Sequence, residues 1–151
     1  MADETDIEGP VGSIDDVTLE EIRTVCTRAD GLVEDAGFDS RLDPTKLQIH
    51  FRDEIAEATW CRFDIRWFQR QYYSFHCLDE CGVQFRYDYR PKPDAPEKHF
   101  HTPPEANSGD VEQSYIVTTE PMLVARAVHQ LWRRAYETAS FDALNTAENP
   151  S

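Results

Sequence analysis

The sequence predicts an α+β fold, in which two amphipathic helices pack on one face of an antiparallel sheet of four to five strands. Two observations predict it: apolar residues recur at helical spacing near both ends of the chain, and apolar and polar residues alternate between those ends. A chain of 151 residues is long enough for one domain with its own core. We place this domain at residues 13–139, between a disordered acidic arm at 1–12 and a flexible tail at 140–151.

The two helices are predicted from their apolar stripes and their end signals. Thr18 and Glu21 form a capping-box pattern, and apolar residues then recur at steps of three and four over Leu19–Ala36. The last helix is predicted to begin at Pro121, with Thr119 as its N-cap, and to end near residue 139. Each stripe needs an apolar partner surface, which the sheet supplies.

The strands are predicted from segments in which every second residue is apolar. Four such segments are KLQIHF (46–51), TWCRFDIRWF (59–68), QYYSFHC (71–77) and VQFRYDYR (83–90), and SYIVTT (114–119) is a candidate fifth strand. Short turns between them predict a meander with one apolar face and one polar face. The helices cover the apolar face, so we expect the polar face to be open to solvent.

The charge of the chain is strongly acidic and unevenly distributed. Twenty-nine acidic residues against fifteen basic ones give a net charge of −14, and arginine outnumbers lysine by twelve to three. This balance excludes nonspecific nucleic-acid binding by the whole surface, and it indicates a halophilic, archaeal host. Residues 46–101 nevertheless hold nine acids and nine bases, so an anionic ligand would be tolerated there. No apolar run is long enough to span a membrane, which favours a cytoplasmic protein.

The polar face of the predicted meander carries residue types that bind phosphate and move protons. In a metal-free RNA cleavage a base takes the 2′-OH proton, cations stabilise the phosphorane, and an acid protonates the leaving oxygen. We assign His76 to acid–base work, Arg66 and Arg86 to phosphate, and Asp88 to orienting one of them. Further substrate contacts are assigned to Arg62, Tyr72 and Arg90. The alternative is that these charges only pair with one another across the strands.

A zinc site is a second interpretation of the same region. Cys77, Cys81, His99 and His101 are zinc-ligand types in a C-x3-C pair and an H-x-H pair. Neither spacing matches the usual pattern of a structural zinc site. The interpretation would make the chain a zinc-stabilised structural domain.

Three short motifs in this region resemble one protein family. "YSFH" at 73–76, "FRYD" at 85–88 and "KHFH" at 98–101, the last within the proline-rich segment 91–114 that is predicted to be a long loop, are similar to the motifs of the TumE family of prokaryotic toxin–antitoxin pairs. The resemblance covers about residues 47–136. It implies a ribonuclease encoded beside a helix-turn-helix antitoxin, with Arg86, Asp88, His99 and His101 in the site and Tyr73 as a supporting aromatic. The chain departs from the family motif at Tyr89, where an asparagine is expected.

The leading hypothesis is therefore a ribonuclease-like toxin that acts on RNA without a metal ion or other cofactor. Its catalytic candidates are His76, Arg86, Asp88, His99 and His101. A noncatalytic domain that binds protein or RNA through the same face is the alternative from another functional class. The sequence leaves the oligomeric state open, including a homo-oligomer.

Overall fold

The computed structural model describes residues 12–53, 60–90, 98–107, 109 and 111–146. The predicted acidic arm, apart from Gly12, and residues 147–151 of the predicted tail lie outside the described residues. Two α-helices, seven β-strands and a 3-10 helix are described. Their bounds are α1 Asp16–Ala29, β1 Val33–Phe38, β2 Leu47–Phe51, β3 Cys61–Trp67, β4 Tyr73–Asp79, β5 Gln84–Tyr89, β6 Lys98–His101, β7 Val111–Gln113, α2 Pro121–Thr138 and a 3-10 helix Phe141–Leu144.

The seven strands form one antiparallel sheet whose spatial order is the same as their order in the chain. The predicted α+β fold with an antiparallel meander is confirmed. β2, β3 and β5 lie within their predicted segments, and β4 extends two residues beyond its segment. The predicted number of four to five strands is too low. The three additional strands come from segments that the sequence assigned to helix or loop, and the SYIVTT segment is not a strand.

The prediction that the first helix continues to Ala36 is wrong, because α1 ends at Ala29. Asp30 follows it in an extended conformation, and its Oδ1 accepts a hydrogen bond of 2.9 Å from the Leu32 amide. This turn redirects the chain into β1, where Ala36 is buried. Apolar residues between 32 and 36 keep a helical spacing by coincidence, since they contact the core from a strand.

Both helices are capped by acidic side chains one to three residues from the predicted caps. Asp15, rather than Thr18, is the N-cap of α1, and its carboxylate accepts from the Thr18 amide at 3.1 Å. Glu120, rather than Thr119, is the N-cap of α2, directly before Pro121. A carboxylate serves here because the first helical N–H groups have no partner and carry a partial positive charge.

The two helices cover the same face of the sheet, as predicted. Leu19 and Ile22 of α1 are fully buried, and the Trp132 ring of α2 lies 4.3 Å from the Phe51 ring of β2. The core of the sheet is built from the alternate strand residues, including Phe63, Ile65, Trp67, Tyr73, Phe75, Phe85 and Tyr87. In the part of the chain that is described, neither helix is both long and apolar enough to cross a membrane.

The 3-10 helix after α2 lies within the segment that the sequence assigned to a flexible tail. Leu144 is fully buried, and the Tyr87 hydroxyl donates a 2.5 Å hydrogen bond to its carbonyl. Asn145 donates to the carbonyl of Gln113 at 3.1 Å. Residues 141–146 therefore pack on the rest of the domain. The domain boundaries at residues 13 and 139 stay a prediction.

Candidate functional site

Two rows of polar side chains cross the sheet on the face opposite the helices. The strand register defines the first as the histidine–arginine row, which comprises His76, Arg86 and His101. It defines the second as the aspartate row, which comprises Arg66, Ser74, Asp88 and His99. Neighbouring strands lie about 4.8 Å apart, so each residue is the direct cross-strand neighbour of the next one along its row.

The rows follow directly from the two-residue period of the strands. Arg86 and Asp88 are two positions apart on β5, and His99 and His101 are two positions apart on β6, so each pair lies on one face. The apolar residues between them, Tyr87 and Phe100, point into the core. The alternation "FRYD" and "KHFH" thus builds the core and the polar cluster with the same strands.

Asp88 is the centre of this cluster. Its Oδ2 accepts a 2.8 Å hydrogen bond from Arg86 Nε and lies 3.3 Å from His101 Nε2 and 3.7 Å from His99 Nε2. Burial of the carboxylate raises its pKa, but the hydrogen bond of His101, the charge of Arg86 and the hydrogen bond of Ser74 outweigh burial. The pKa of Asp88 is therefore below its ordinary value, and the group is an anion at neutral pH.

The tautomer of His101 is set by a backbone carbonyl. His101 Nδ1 lies 3.1 Å from the Asn107 carbonyl oxygen, which can only accept, so Nδ1 carries the proton. In the neutral ring, the other nitrogen, Nε2, then presents its lone pair to Arg86 Nη2 at 3.1 Å, and only the doubly protonated ring donates from Nε2 to Asp88 Oδ2. His101 is thereby held with its basic nitrogen toward the guanidinium.

His76 lies on the other side of Arg86 and is half-buried. Its Nε2 donates to the side-chain oxygen of Gln84 at 2.8 Å, which leaves Nδ1 as the basic nitrogen of the neutral ring. Burial lowers the pKa of His76, and the charge of Arg86 lowers it further against the hydrogen bond to Gln84. His76 is consequently uncharged at pH 7 and able to accept a proton.

The expectation that the polar face is open to solvent is wrong at its centre. Asp88 is 4% exposed, and His99 and His101 are each 2% exposed. The turn after β6 contributes to this burial, because its Pro104 carbonyl accepts from the Gln84 amide and its Asn107 carbonyl accepts from His101. Arg86 is more accessible, with 28% of its side chain exposed.

The four predicted substrate-contact residues are spread over β3 and the ends of the strands. Arg66 belongs to the aspartate row, beside Ser74. Arg62 is bonded to Asp64 of its own strand at 2.9 Å and 3.4 Å, which is a pairing along one strand and not the pairing across strands that the sequence left open as the alternative. Tyr72 and Arg90 lie at the strand ends, where the Tyr72 ring stacks near Tyr89 and Arg90 lies over Phe68.

The zinc set proposed from the sequence does not come together. Cys77 is fully buried on the core side of β4, Cys81 is exposed in the turn after it, and the two histidines lie on the opposite face. Tyr73, the supporting aromatic of the resemblance, also lies in the core, stacked on Trp67 at 4.9 Å. Within the described part of the chain, the potential metal ligands that do lie close together are Asp88, His99 and His101. Their ligand atoms are all within 4.8 Å of one another.

Three residues of the site were not among the candidates from the sequence. Ser74 and Gln84 are outward residues of predicted strands, so the register of β4 and β5 would have placed them beside Asp88 and His76. Asn107 acts through its backbone carbonyl in a turn. No side-chain pattern could have found it.

One protein-family model, described as toxin TumE, matches residues 22–138, which is most of the chain. The chain belongs to the toxin TumE family. Comparison with curated proteins and with solved structures gave no match. Membership of the TumE family indicates a toxin of a toxin–antitoxin pair and implies an antitoxin partner. The match includes all seven described strands, the whole of α2 and the second half of α1, so it contains both rows of the polar cluster.

Proposed function

We propose that this TumE-family chain is a ribonuclease-like toxin that cleaves RNA phosphodiester bonds on its polar sheet face without a metal ion. The observation that carries the proposal is the histidine–arginine row, in which a guanidinium lies between two imidazoles. Two strand spacings, about 10 Å, separate the backbones that carry the imidazoles. That arrangement suits a phosphate bound at the centre with a base on one side and an acid on the other.

The proposed reaction uses His76 as the base. Nδ1 of the neutral ring takes the proton of the ribose 2′-OH, and the 2′-oxygen attacks the phosphorus. Arg86 stabilises the charge that develops on the phosphorane oxygens. His101 acts as the acid in its doubly protonated form, in which Nδ1 still donates to the Asn107 carbonyl and Nε2 gives its proton to the departing 5′-oxygen. The products are a 2′,3′-cyclic phosphate and a 5′-OH. Asp88 orients Arg86 through its 2.8 Å hydrogen bond and holds His101 in place.

Access to the cluster is the main requirement of this mechanism. Arg86 and His76 are partly exposed, whereas His99 and His101 are each 2% exposed. RNA can reach His101 only if the turn at residues 102–107 moves away from it. Arg66 makes no salt bridge or side-chain hydrogen bond to another described residue, so it is available as a second cation for phosphate. We propose Arg62, Tyr72 and Arg90 as outer RNA contacts on the same face.

The test is cleavage of a defined RNA by the purified protein, with and without EDTA, at molar and at low salt. Molar salt is included because it shortens the screening length to about 3 Å and so weakens repulsion between RNA and the acidic surface. We expect cleavage to survive EDTA and to fall about 100-fold or more in His76→Ala and in Arg86→Ala. The control is His50→Ala, which removes a half-buried imidazole on β2, three strands away from the Arg86 strand β5.

Loss of cleavage in EDTA would contradict the metal-free mechanism. Absence of cleavage under all conditions by folded protein would favour the second candidate, a noncatalytic domain that binds protein or RNA through the polar face. The burial of Asp88, His99 and His101 is the observation that favours this candidate, since buried groups stabilise a fold without contacting a substrate.

The partner proposed with this function is a helix-turn-helix antitoxin. Coexpression with the neighbouring gene is expected to relieve growth arrest caused by the toxin, and His76→Ala is expected to remove the arrest without preventing complex formation. Growth arrest that persists in His76→Ala would separate toxicity from the proposed chemistry.

A further inference from the structure

We propose that Asp88, His99 and His101 form a binding site for a divalent first-row transition-metal ion such as Zn²⁺ or Co²⁺. These three residues are the ones in the described ranges whose ligand atoms converge, all within 4.8 Å of one another. Two imidazoles and one carboxylate are donors that such ions prefer. The site goes beyond the proposed function, which needs no metal.

The distances between the ligand atoms fit such an ion closely. Two ligands at roughly 2.0–2.1 Å from a tetrahedral Zn²⁺ are about 3.3 Å apart. Oδ2 of Asp88 is 3.3 Å from His101 Nε2 and 3.7 Å from His99 Nε2. All three ligand atoms lie within 4.8 Å of one another on strands that are paired in register, so side-chain rotations without a change of register would bring them to coordination distance.

The surroundings of His101 prepare its free nitrogen for a metal. Nδ1 donates to the Asn107 carbonyl at 3.1 Å, which fixes the ring orientation and leaves the lone pair of Nε2 directed into the cluster. Histidine ligands in metal sites commonly have this kind of hydrogen bond on the nitrogen that does not bind the metal. The arrangement exists in the structure before any ion is bound.

The Asp88 carboxylate provides an independent observation. Asp88 is 4% exposed, and its Oδ1 is buried without a hydrogen-bond partner among the described residues. A buried carboxylate oxygen without a partner is costly in a folded protein. A cation that both carboxylate oxygens coordinate, through Oδ1 as well as Oδ2, would satisfy it.

Arg86 is the competitor for this position. Its Nε donates to Asp88 Oδ2 at 2.8 Å, and its Nη2 lies 3.1 Å from His101 Nε2, so the guanidinium contacts two of the three ligand atoms. With 28% of its side chain exposed, Arg86 is able to turn toward solvent when a metal enters. Arg86→Gln is therefore expected to bind the metal about tenfold more tightly, because a competing positive charge is removed.

The experiment is titration of the full chain, first stripped with EDTA and then dialysed, with Co²⁺ followed by visible absorption. We expect saturation at one Co²⁺ per chain and displacement of the Co²⁺ spectrum by Zn²⁺. Asp88→Asn and His101→Gln, which keep the size of the side chain, are expected to weaken binding at least about 100-fold. His50→Ala and Cys81→Ser are the controls, for an imidazole outside the cluster and for the exposed thiol, and are expected to bind like the wild type.

A second readout protects the test from variants that fold poorly. Zn²⁺ is expected to raise the melting temperature of the wild type and of both controls but not that of Asp88→Asn. Binding that survives in Asp88→Asn and His101→Gln, or that disappears equally in the controls, would overturn the proposal. So would the absence of any Co²⁺ spectrum in folded wild-type protein.

The metal and the proposed cleavage are distinguishable. If the cleavage mechanism holds, Zn²⁺ inhibits it, because the ion occupies Nε2 of His101 and displaces Arg86; this consequence alone depends on the proposed function. Cleavage without Co²⁺ binding would refute the metal site and leave the cleavage mechanism. Binding of Co²⁺ without any cleavage would refute the cleavage mechanism and leave the metal site.

Discussion

Replacing Asp30 with asparagine is expected to lower the free energy of unfolding by about 2 kcal/mol at neutral pH. Asp30 joins the end of α1 to α2: its carboxylate accepts from Arg133 Nη1 at 2.8 Å and 2.9 Å and from His129 Nε2 at 2.9 Å. Asparagine retains the oxygen that accepts from the Leu32 amide, but its NH₂ group meets donors of Arg133 and His129. Hydrogen bonds to charged groups contribute about 1.5–3 kcal/mol, and we take a middle value because Arg133 is 37% exposed and screened by solvent.

The effect of this substitution is expected to depend on pH in a defined direction. Burial raises the pKa of Asp30, but the hydrogen bonds from the Leu32 amide, His129 and Arg133 outweigh it, so the pKa lies below its ordinary value of 3.8. When the pKa of a carboxyl group is lower in the folded state than in the unfolded state, the group stabilises the folded protein fully at pH values above the unfolded pKa. This stabilisation is lost as the pH falls through the folded pKa. The difference in the free energy of unfolding between wild type and Asp30→Asn is therefore largest at pH 6 and decreases below about pH 4.

The assay is urea denaturation of both proteins at pH 6 and pH 3, followed by circular dichroism. Asp35→Asn is the matched control, since Asp35 is an exposed carboxylate on β1, and it is expected to change stability by less than about 0.5 kcal/mol. Equal stability of wild type and Asp30→Asn at pH 6 would refute the bridging role of Asp30. A difference that stays constant down to pH 3 would refute the assigned pKa direction.

Three other substitutions test the core and the turns. Tyr87→Phe removes the hydroxyl that donates to the buried Leu144 carbonyl, and it is expected to lower the free energy of unfolding in urea by about 1–2 kcal/mol. The control Tyr72→Phe is expected to leave the free energy of unfolding unchanged. Equal effects of the two substitutions would contradict the contact between Tyr87 and Leu144. Burial raises the pKa of Cys26 to about 12, so its thiol is not expected to react with a thiol reagent at pH 8 in the native protein. Mass spectrometry is therefore expected to show the same extent of labelling in wild type and in Cys26→Ser. Rapid labelling of Cys26 would contradict its burial. Gly82 has a φ of +86°, and a Cβ added there would meet no atom within 4 Å, so backbone strain is the only expected effect of Gly82→Ala. A strain of about 1 kcal/mol is expected to lower the melting temperature. An unchanged melting temperature would contradict this explanation.

The chemistry of the candidate site could be predicted only in part. The alternation in β4 and β5 places His76, Arg86 and Asp88 on one face, and the strand register agrees with this prediction. His99 and His101 were assigned to a loop, because KHFH is too short and too close to prolines to indicate a strand. Their position in β6 depends on pairing with β5, which is a contact between segments and not a property of either one.

The end of the first helix shows the same limit. Leu32, Val33 and Ala36 have a spacing that fits a helix and also fits the edge of a sheet. The turn at Asp30 decides between them, and it is supported by Arg133 and His129 of a helix about a hundred residues later in the chain.

What the sequence by itself determined is the fold class, the core strands and the face of each strand, because the two-residue and 3.6-residue periods are local properties of the chain. Only the tertiary structure decided that the middle of the polar face is buried, and that Asp88, His99, His101 and Arg86 meet there. The physical reason is that burial and hydrogen-bond partners depend on which distant segments come to lie over a residue. Here the Asn107 carbonyl, from a turn with no sequence pattern of its own, orients the histidine next to the central carboxylate.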